Sequence, residues 1–389
     1  MLPFTSIGFF IVSAILVLLT LLIKQFGQRY IKYSNLILIV SVLYVAFFFP
    51  YPLHVAVFVV YSFLIYYLFS FVFKFRNKFA GILALLIPMI LIKSDIRFHF
   101  YPFTLNSVIT FVGLSYMSFR TVQLYIDTSI DSKRPSFLSY LNFLIFFPTI
   151  LIGPIDRYNR FNGDLEGGYS RINNKRFLHG LQMIIYGLMH KFIFAELISR
   201  YLLNNLNPLS KELPEMLGNM YAYTAYLYFD FAGYSAMAIG LGALFGIDVP
   251  INFNKPFLAS NPQDFWKRFH KSLGDWLKDY FFRPLYMYLS RKQSLKKYPL
   301  TRQNIALFLT FLLMGLWNGF MWFFIVSGML FGIYSVVHNT YVYYSRKKRR
   351  DIVFGNMPEK LKYWISVFIM VNLACIAIYI FSGRFPFLH

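Results

Sequence analysis

Residues 4–23 read FTSIGFFIVSAILVLLTLLI, a stretch without one charged side chain. At 1.5 Å per residue, an α-helix of this length crosses the roughly 30 Å hydrocarbon core of a bilayer. The stretch reads as a first spanning helix and not as a removed signal peptide. No basic segment precedes it, no small-residue cleavage site follows it, and Lys24, Arg29 and Lys32 come next.

Similar runs recur along the chain, near 35–50, 52–73, 79–93, 104–127, 177–203, 216–247, 305–320, 322–343 and 361–383. The 389 residues are 58% hydrophobic and 21% aromatic, with a mean hydropathy of +0.53. One water-soluble core could not cover so many apolar runs. The fold class is therefore an all-α polytopic membrane protein: about ten full spans with additional re-entrant and interfacial helices. A single membrane domain is expected over 1–389, with N-terminal spans in 1–127, a central region in 128–304 and C-terminal spans in 305–389.

Basic residues concentrate between the runs, in KQFGQRYIKY (24–33), KFRNKF (74–79), DSKRPS (131–136), 155–176, 255–304 and SRKKRR (345–350). Placing all of them on the cytoplasmic side requires 136–153 to dip into the membrane and return, and puts both termini outside. The same rule accounts for most of the net charge of +22; membrane lipid headgroups or an acidic partner would use the rest. No nucleic-acid recognition module is present to exploit it. Cys375, the only cysteine, stands in an apolar run and permits neither an intrachain disulfide nor a cysteine metal cluster.

The region 248–304 is too charged to span and too aromatic to be a free loop. Asn261 or Ser260 can cap a helix with Pro262 in its first turn and Asp264 near its positive end. Phe265, Phe269, Leu273, Trp276 and Leu277 then recur at helical spacing, with Lys267, Lys271, Asp275 and Lys278 between them. This pattern predicts an amphipathic helix lying at the cytoplasmic interface or tucked into the membrane surface.

Ionisable groups in apolar spans are costly, which makes each a candidate for function. Asp230 stands in YLYFDFAGYSAMAIG (226–240); it can pair structurally with an arginine such as Arg120, or meet a substrate directly. His190 and Lys191 lie in another apolar stretch, with Glu196 off the helical pairing distance. His270, in DFWKRFHKSL (264–273), follows Lys267 and Arg268, and an imidazole is the side chain best suited to take a proton from a hydroxyl near neutral pH. The alternative is an interfacial histidine against headgroups. No Walker A loop, G-x-S-x-G elbow, H-E-x-x-H pair or other metal-ligand pattern occurs in a convincing context, which disfavours an ATPase, a serine hydrolase and a metalloprotease. The Gly315 to Gly319 spacing fits close helix packing.

Four blocks in order, FFPTILIGPIDRYNRF (146–161), YLYFDFAGYSAMAIGLGALFGIDVPINFNKPF (226–257), DFWKRFHKSLGDWLKDYFFRPLY (264–286) and MGLWNGFMW (314–322), resemble the membrane-bound O-acyltransferase family. They look most like its D-alanyl-transfer branch in Gram-positive cell membranes. The resemblance implies a helix bundle around a funnel and tunnel. It also implies a small acidic carrier protein as donor, bearing D-alanine on a phosphopantetheine thioester, with no cofactor held by the chain itself. The acceptor would be teichoic acid or a lipid-linked intermediate, and other membrane proteins of D-alanylation would be partners. Lys267, Arg268, Lys271 and Lys278 would dock the carrier, while Asp230, Ser235, Trp266 and Trp317 would line the tunnel. The same fold acting on another envelope polysaccharide is the nearest alternative.

The family's histidine in its FWxRxH block matches His270. Its second histidine, usually taken as catalytic, lies in a WHG block, where this chain has Trp317, Asn318 and Gly319. An amide can donate and accept hydrogen bonds but cannot take up a proton at physiological pH. Three readings stay open: His270 is the base with Asn318 as its partner, the chain only docks the carrier, or the sequence carries a substitution at 318.

Overall fold

The computed structural model describes residues 4, 6–49, 51–94, 99–100, 103–104, 113–131 and 134–388. Among these, seven helical stretches are long and apolar enough to cross a membrane: Ile7–Gly27, Pro52–Val72, Asn174–Asn205, Leu213–Leu244, Pro299–Asn318, Trp322–Lys347 and Glu359–Phe381. The expectation of about ten is met only in part, for a geometric reason. Tyr33–Phe48 and Lys78–Lys93 are helices of 16 residues each, shorter than the hydrocarbon core unless flanking residues complete the crossing. Of the span expected at 104–127, residues 105–112 lie outside the described residues; the helix that covers its later part is Leu114–Asp131.

The chain divides into two compact units, one of Met1–Met189 with Gly233–Pro250 and one of His190–Ala232 with Ile251–His389. In the first unit the helices are α1 (Ile7–Leu22), α2 (Tyr33–Phe48), α3 (Pro52–Tyr67), α4 (Lys78–Lys93), α5 (Leu114–Asp131), α6 (Phe137–Ile145), α7 (Tyr158–Gly167) and α8 (Asn174–Leu188). A two-residue antiparallel pair, β1 (His99–Phe100) with β2 (Phe103–Thr104), follows α4.

Helix α1 shows how such a helix is built for lipid. Ser6 caps it, accepting from Phe9 N–H at 3.3 Å. Ile7, Ile11, Ile15, Leu18 and Leu22 form an exposed stripe, whereas Phe9, Ser13, Val17 and Thr20 are buried. The buried hydroxyls are satisfied within the helix, Ser13 donating to Phe9 O at 2.7 Å and Thr20 to Leu16 O at 2.8 Å.

Helix α6 has nine residues, far too few to cross, and a single 3-10 turn at Phe147–Thr149 follows it. The chain reversal expected at 136–153 is held by Arg120 of α5. Its buried guanidinium donates to Phe143 O at 2.9 Å, Leu144 O at 3.0 Å and Thr149 O at 2.9 Å, and also to the Thr149 hydroxyl. A helix end leaves carbonyls without intrahelical donors, and here a charged donor supplies them.

Helix α10 (Leu213–Leu244) runs through the division between the units. Its later part packs on α8 backbone to backbone: a Cβ on Gly240 would lie 2.6 Å from Gly180 O, and one on Gly180 2.8 Å from Gly240 O. In the segment 155–176, much of the positive charge is spent internally. Arg171 lies 2.7 Å from Asp164 and 2.6 Å from Asp248, and Arg176 lies 3.1 Å from Asp248.

The second unit holds α9 (Glu196–Tyr201), the first part of α10, α11 (Pro262–Arg268), α12 (Lys271–Leu277), α13 (Arg283–Arg291), α14 (Pro299–Asn318), α15 (Trp322–Lys347) and α16 (Glu359–Phe381). Helices α14 and α15 form a tight hairpin. Gly315 packs against α15, where its added Cβ would meet Phe324 O at 2.5 Å and Gly328 Cα at 3.2 Å. Its packing partner is thus Gly328, while Gly319 lies just past the helix end.

The single amphipathic helix expected after Asn261 is instead two short ones. Asn261 does cap α11, its side chain accepting from Asp264 N–H at 2.8 Å. The helix then breaks at Phe269 and His270, because His270 adopts the left-handed conformation with φ 51° and ψ 47°. The amphipathic pattern itself is kept: Phe265, Phe269, Leu273, Trp276 and Leu277 are all buried, while Lys267 and Lys278 are exposed.

Candidate active site

The break at His270 is held by an extended segment arriving from α10. Asn254 N–H donates to Arg268 O and Lys271 N–H donates to Asn252 O, both at 2.9 Å. Asn252 Oδ1 accepts from Ser272 N–H at 3.2 Å and from the Ser272 hydroxyl at 2.5 Å. Two backbone groups that an unbroken helix would pair internally are therefore satisfied from outside. Asn252 and Ser272 were not singled out from the sequence; their spacing of twenty residues carries no pattern, and only the folded chain brings them together.

His270 is 7% exposed. Its ring stands edge-on to Phe231 at 4.7 Å and lies 6.4 Å from Trp317. Its Nδ1 is buried with no hydrogen-bond partner. Burial pushes the imidazole down from 6.5 to about 3, because no nearby carboxylate offsets the loss of water. The ring is therefore neutral throughout the physiological range and keeps one nitrogen lone pair available.

Trp317 brings the end of α14, and with it Asn318, to the same region. Asn318 Nδ2 donates to Met314 O at 2.9 Å, one turn back in its own helix. Trp266, on α11, packs 5.8 Å from Phe311 of α14 and 4.9 Å from Phe331 of α15, and its indole nitrogen is buried without a partner. Phe253 completes an aromatic wall, 5.0 Å from Phe231 and 5.1 Å from Phe269.

Asp230 is next to Phe231 in sequence, but its carboxylate is paired with the Lys191 ammonium. The expected arginine partner is thus replaced by a lysine, since Arg120 is committed to backbone carbonyls. His190 packs against Phe229 at 5.2 Å. Ser235, described with the first unit, is 2% exposed, and its hydroxyl has no partner.

The basic side chains divide into two kinds. Arg268 is paired with Asp264 at 2.9 Å and Lys271 with Asp275 at 2.6 Å, each one turn away on its own helix. Lys267 and Lys278 are exposed on the outer face of α11 and just beyond α12.

The family model for membrane-bound O-acyltransferases matches residues 98–381. A teichoic acid D-alanyltransferase of Bacillus subtilis is 33% identical over the whole of both chains. One of Streptococcus thermophilus is 34% identical over 76% of this chain and 73% of its own. A peptidoglycan O-acetyltransferase of Helicobacter pylori is 35% identical, but over 61% of this chain and 43% of its own.

Proposed function

The chain belongs to the membrane-bound O-acyltransferase family, and on that premise we propose that it transfers D-alanine to teichoic acid in a Gram-positive cell membrane. The donor is a D-alanyl thioester on the phosphopantetheine of a small acidic carrier protein. The carrying observation is the neutral, buried His270, with an unpartnered Nδ1 beside Trp317 and the end of α14. Likeness to D-alanyltransferases along the full chain favours this substrate over an acetyl group on another polysaccharide.

In this reading the acceptor hydroxyl attacks the thioester carbonyl. As the new C–O bond forms, the imidazole lone pair takes the hydroxyl proton; as the C–S bond breaks, that proton passes to the departing thiolate. A base held near 3 is weak, so proton transfer accompanies bond formation and does not precede it. The apolar wall of Phe231, Phe253 and Trp317 excludes competing water. Asn318 orients the hydroxyl through its side-chain oxygen, and Lys267 and Lys278 meet the acidic carrier.

The test uses membrane vesicles supplied with the loaded carrier, comparing the parent chain with Asn318→His. Transfer by the parent, changed less than tenfold in the variant, supports His270 as the base. Transfer by the variant alone assigns that role to position 318, and transfer by neither defeats the acyltransferase reading.

A further inference from the structure

Away from the aromatic wall, the basic C-terminal end of α15 carries a second chemistry. Between residues 345 and 362 the sequence has seven basic side chains against two acidic ones, Asp351 and Glu359. A pocket of about 430 Å³ opens there, lined by Tyr341, Ser345, Arg346, Arg349, Asp351 and Lys362.

One acid lines the pocket, and its capacity is used up. Asp351 accepts from the Tyr341 hydroxyl at 2.6 Å, from Lys362 at 2.5 Å, and from the N–H groups of Val353 and Phe354 at 3.0 and 2.9 Å. Desolvation is the largest single effect and raises its carboxyl, but these four donors together outweigh it and hold the group well below the usual carboxylate range. Glu359 lies 3.7 Å from Lys362. Arg346 and Arg349 have no acidic partner among the described residues.

The backbone places those two guanidinium groups together. Arg349 is left-handed, with φ 52°, and turns the chain back at the helix end so that it lines the same pocket as Arg346. The last carbonyls of α15 would repel an anion, but they are covered: Lys348, Arg350 and Arg349 N–H groups donate to Tyr344, Ser345 and Arg346 O at 2.9, 3.2 and 3.2 Å.

The surroundings fix the depth. Tyr343 and Tyr344 near the end of α15, and Tyr363 and Trp364 near the start of α16, are exposed aromatic residues at the ends of two spanning helices. Such belts lie at headgroup level. We propose that this pocket binds the phosphate headgroup of an anionic phospholipid, with Arg346 and Arg349 holding the phosphate oxygens and the acyl chains lying along α15 and α16.

The purified full chain in neutral detergent would be titrated with phosphatidylglycerol, phosphatidylcholine or inorganic phosphate, and single-lipid occupancy read by native mass spectrometry. Phosphatidylglycerol should be retained over phosphatidylcholine. At roughly 1 kcal/mol for each basic residue near an anionic surface, Arg346→Gln with Arg349→Gln should weaken retention about thirtyfold. Arg346→Lys with Arg349→Lys, which keeps charge without the planar fork, should fall between. The matched control, Lys347→Gln with Lys348→Gln, removes equal charge from residues that do not line the pocket and should change retention less than threefold. An equal loss in the control would replace the pocket with a diffuse charge effect. Displacement of the lipid by equimolar inorganic phosphate would make it a free-phosphate site. Unchanged lipid retention in the arginine variants, with loss of acidic carrier binding, would reassign it to protein docking.

Discussion

His270→Asn separates the chemistry of this residue from its backbone role. Asparagine tolerates the left-handed conformation and keeps hydrogen-bonding capacity, but it cannot take a proton. At pH 7.5 the variant loses the edge-on contact with Phe231, costing about 1 kcal/mol, and acyl transfer should fall by about 100- to 10,000-fold as for a lost general base. Lowering the pH then works against the parent alone. Its unfolded imidazole takes a proton near 6.5, while the folded one refuses it until about 3. Stability from the depressed group is therefore complete above about 6.5 and drains away as the pH falls toward 3. One unit below the unfolded value, at about pH 5.5, the loss is on the order of 1.4 kcal/mol. Thermal unfolding in detergent at both pH values should show the parent more stable at 7.5 and the advantage gone at 5.5. A constant difference between the two proteins would mean that His270 titrates normally and is not buried as described.

Arg120→Met should destabilise the first unit by about 3 kcal/mol or more, because three buried carbonyls lose charged donors at once; an unchanged unfolding temperature would contradict the clamp. Lys267→Glu with Lys278→Glu should slow carrier association about tenfold at low salt, and the difference should shrink at high salt. Arg268→Gln, already paired with Asp264, should slow it less than twofold, and an equal slowing would place docking elsewhere.

Spanning helices were legible because apolar length is a local property: α1, α15 and α16 fall where the runs 4–23, 322–343 and 361–383 predicted. That 136–153 does not form a full span was legible from charge alone, since placing every basic loop on one side left that run no room to cross, and its helix has only nine residues. Its fastening was not, because Arg120 acts on carbonyls and carbonyls leave no mark in a sequence. The partner of Asp230 was misread for a related reason: Lys191 lies 39 residues away, and neither position shows a pairing pattern. The broken helix at 269–270 was hidden by periodicity, because the apolar spacing of Phe265, Phe269, Leu273 and Trp276 suits two short helices as well as one continuous helix.

The break also bears on which of the two unusual polar residues is used. At Asn318 the backbone is an ordinary helix end, and the side chain satisfies itself on Met314 O, so nothing local marks that position as costly. His270 differs on each count. Its left-handed backbone is one that glycine would occupy more easily, by roughly 1 kcal/mol. The bonds that impose this conformation, from Asn252 and Asn254, are to the backbone on either side and would be made whatever side chain stood there. The imidazole is then buried with an unsatisfied nitrogen, adding a desolvation cost that glycine or alanine would avoid. Packing alone explains neither cost, since the wall of Phe231, Phe253 and Trp317 would close more favourably on an apolar group. A side chain kept in a strained backbone, with Nδ1 unpaired among aromatic rings, is placed for a partner that arrives from outside, and a hydroxyl proton is the partner its chemistry fits.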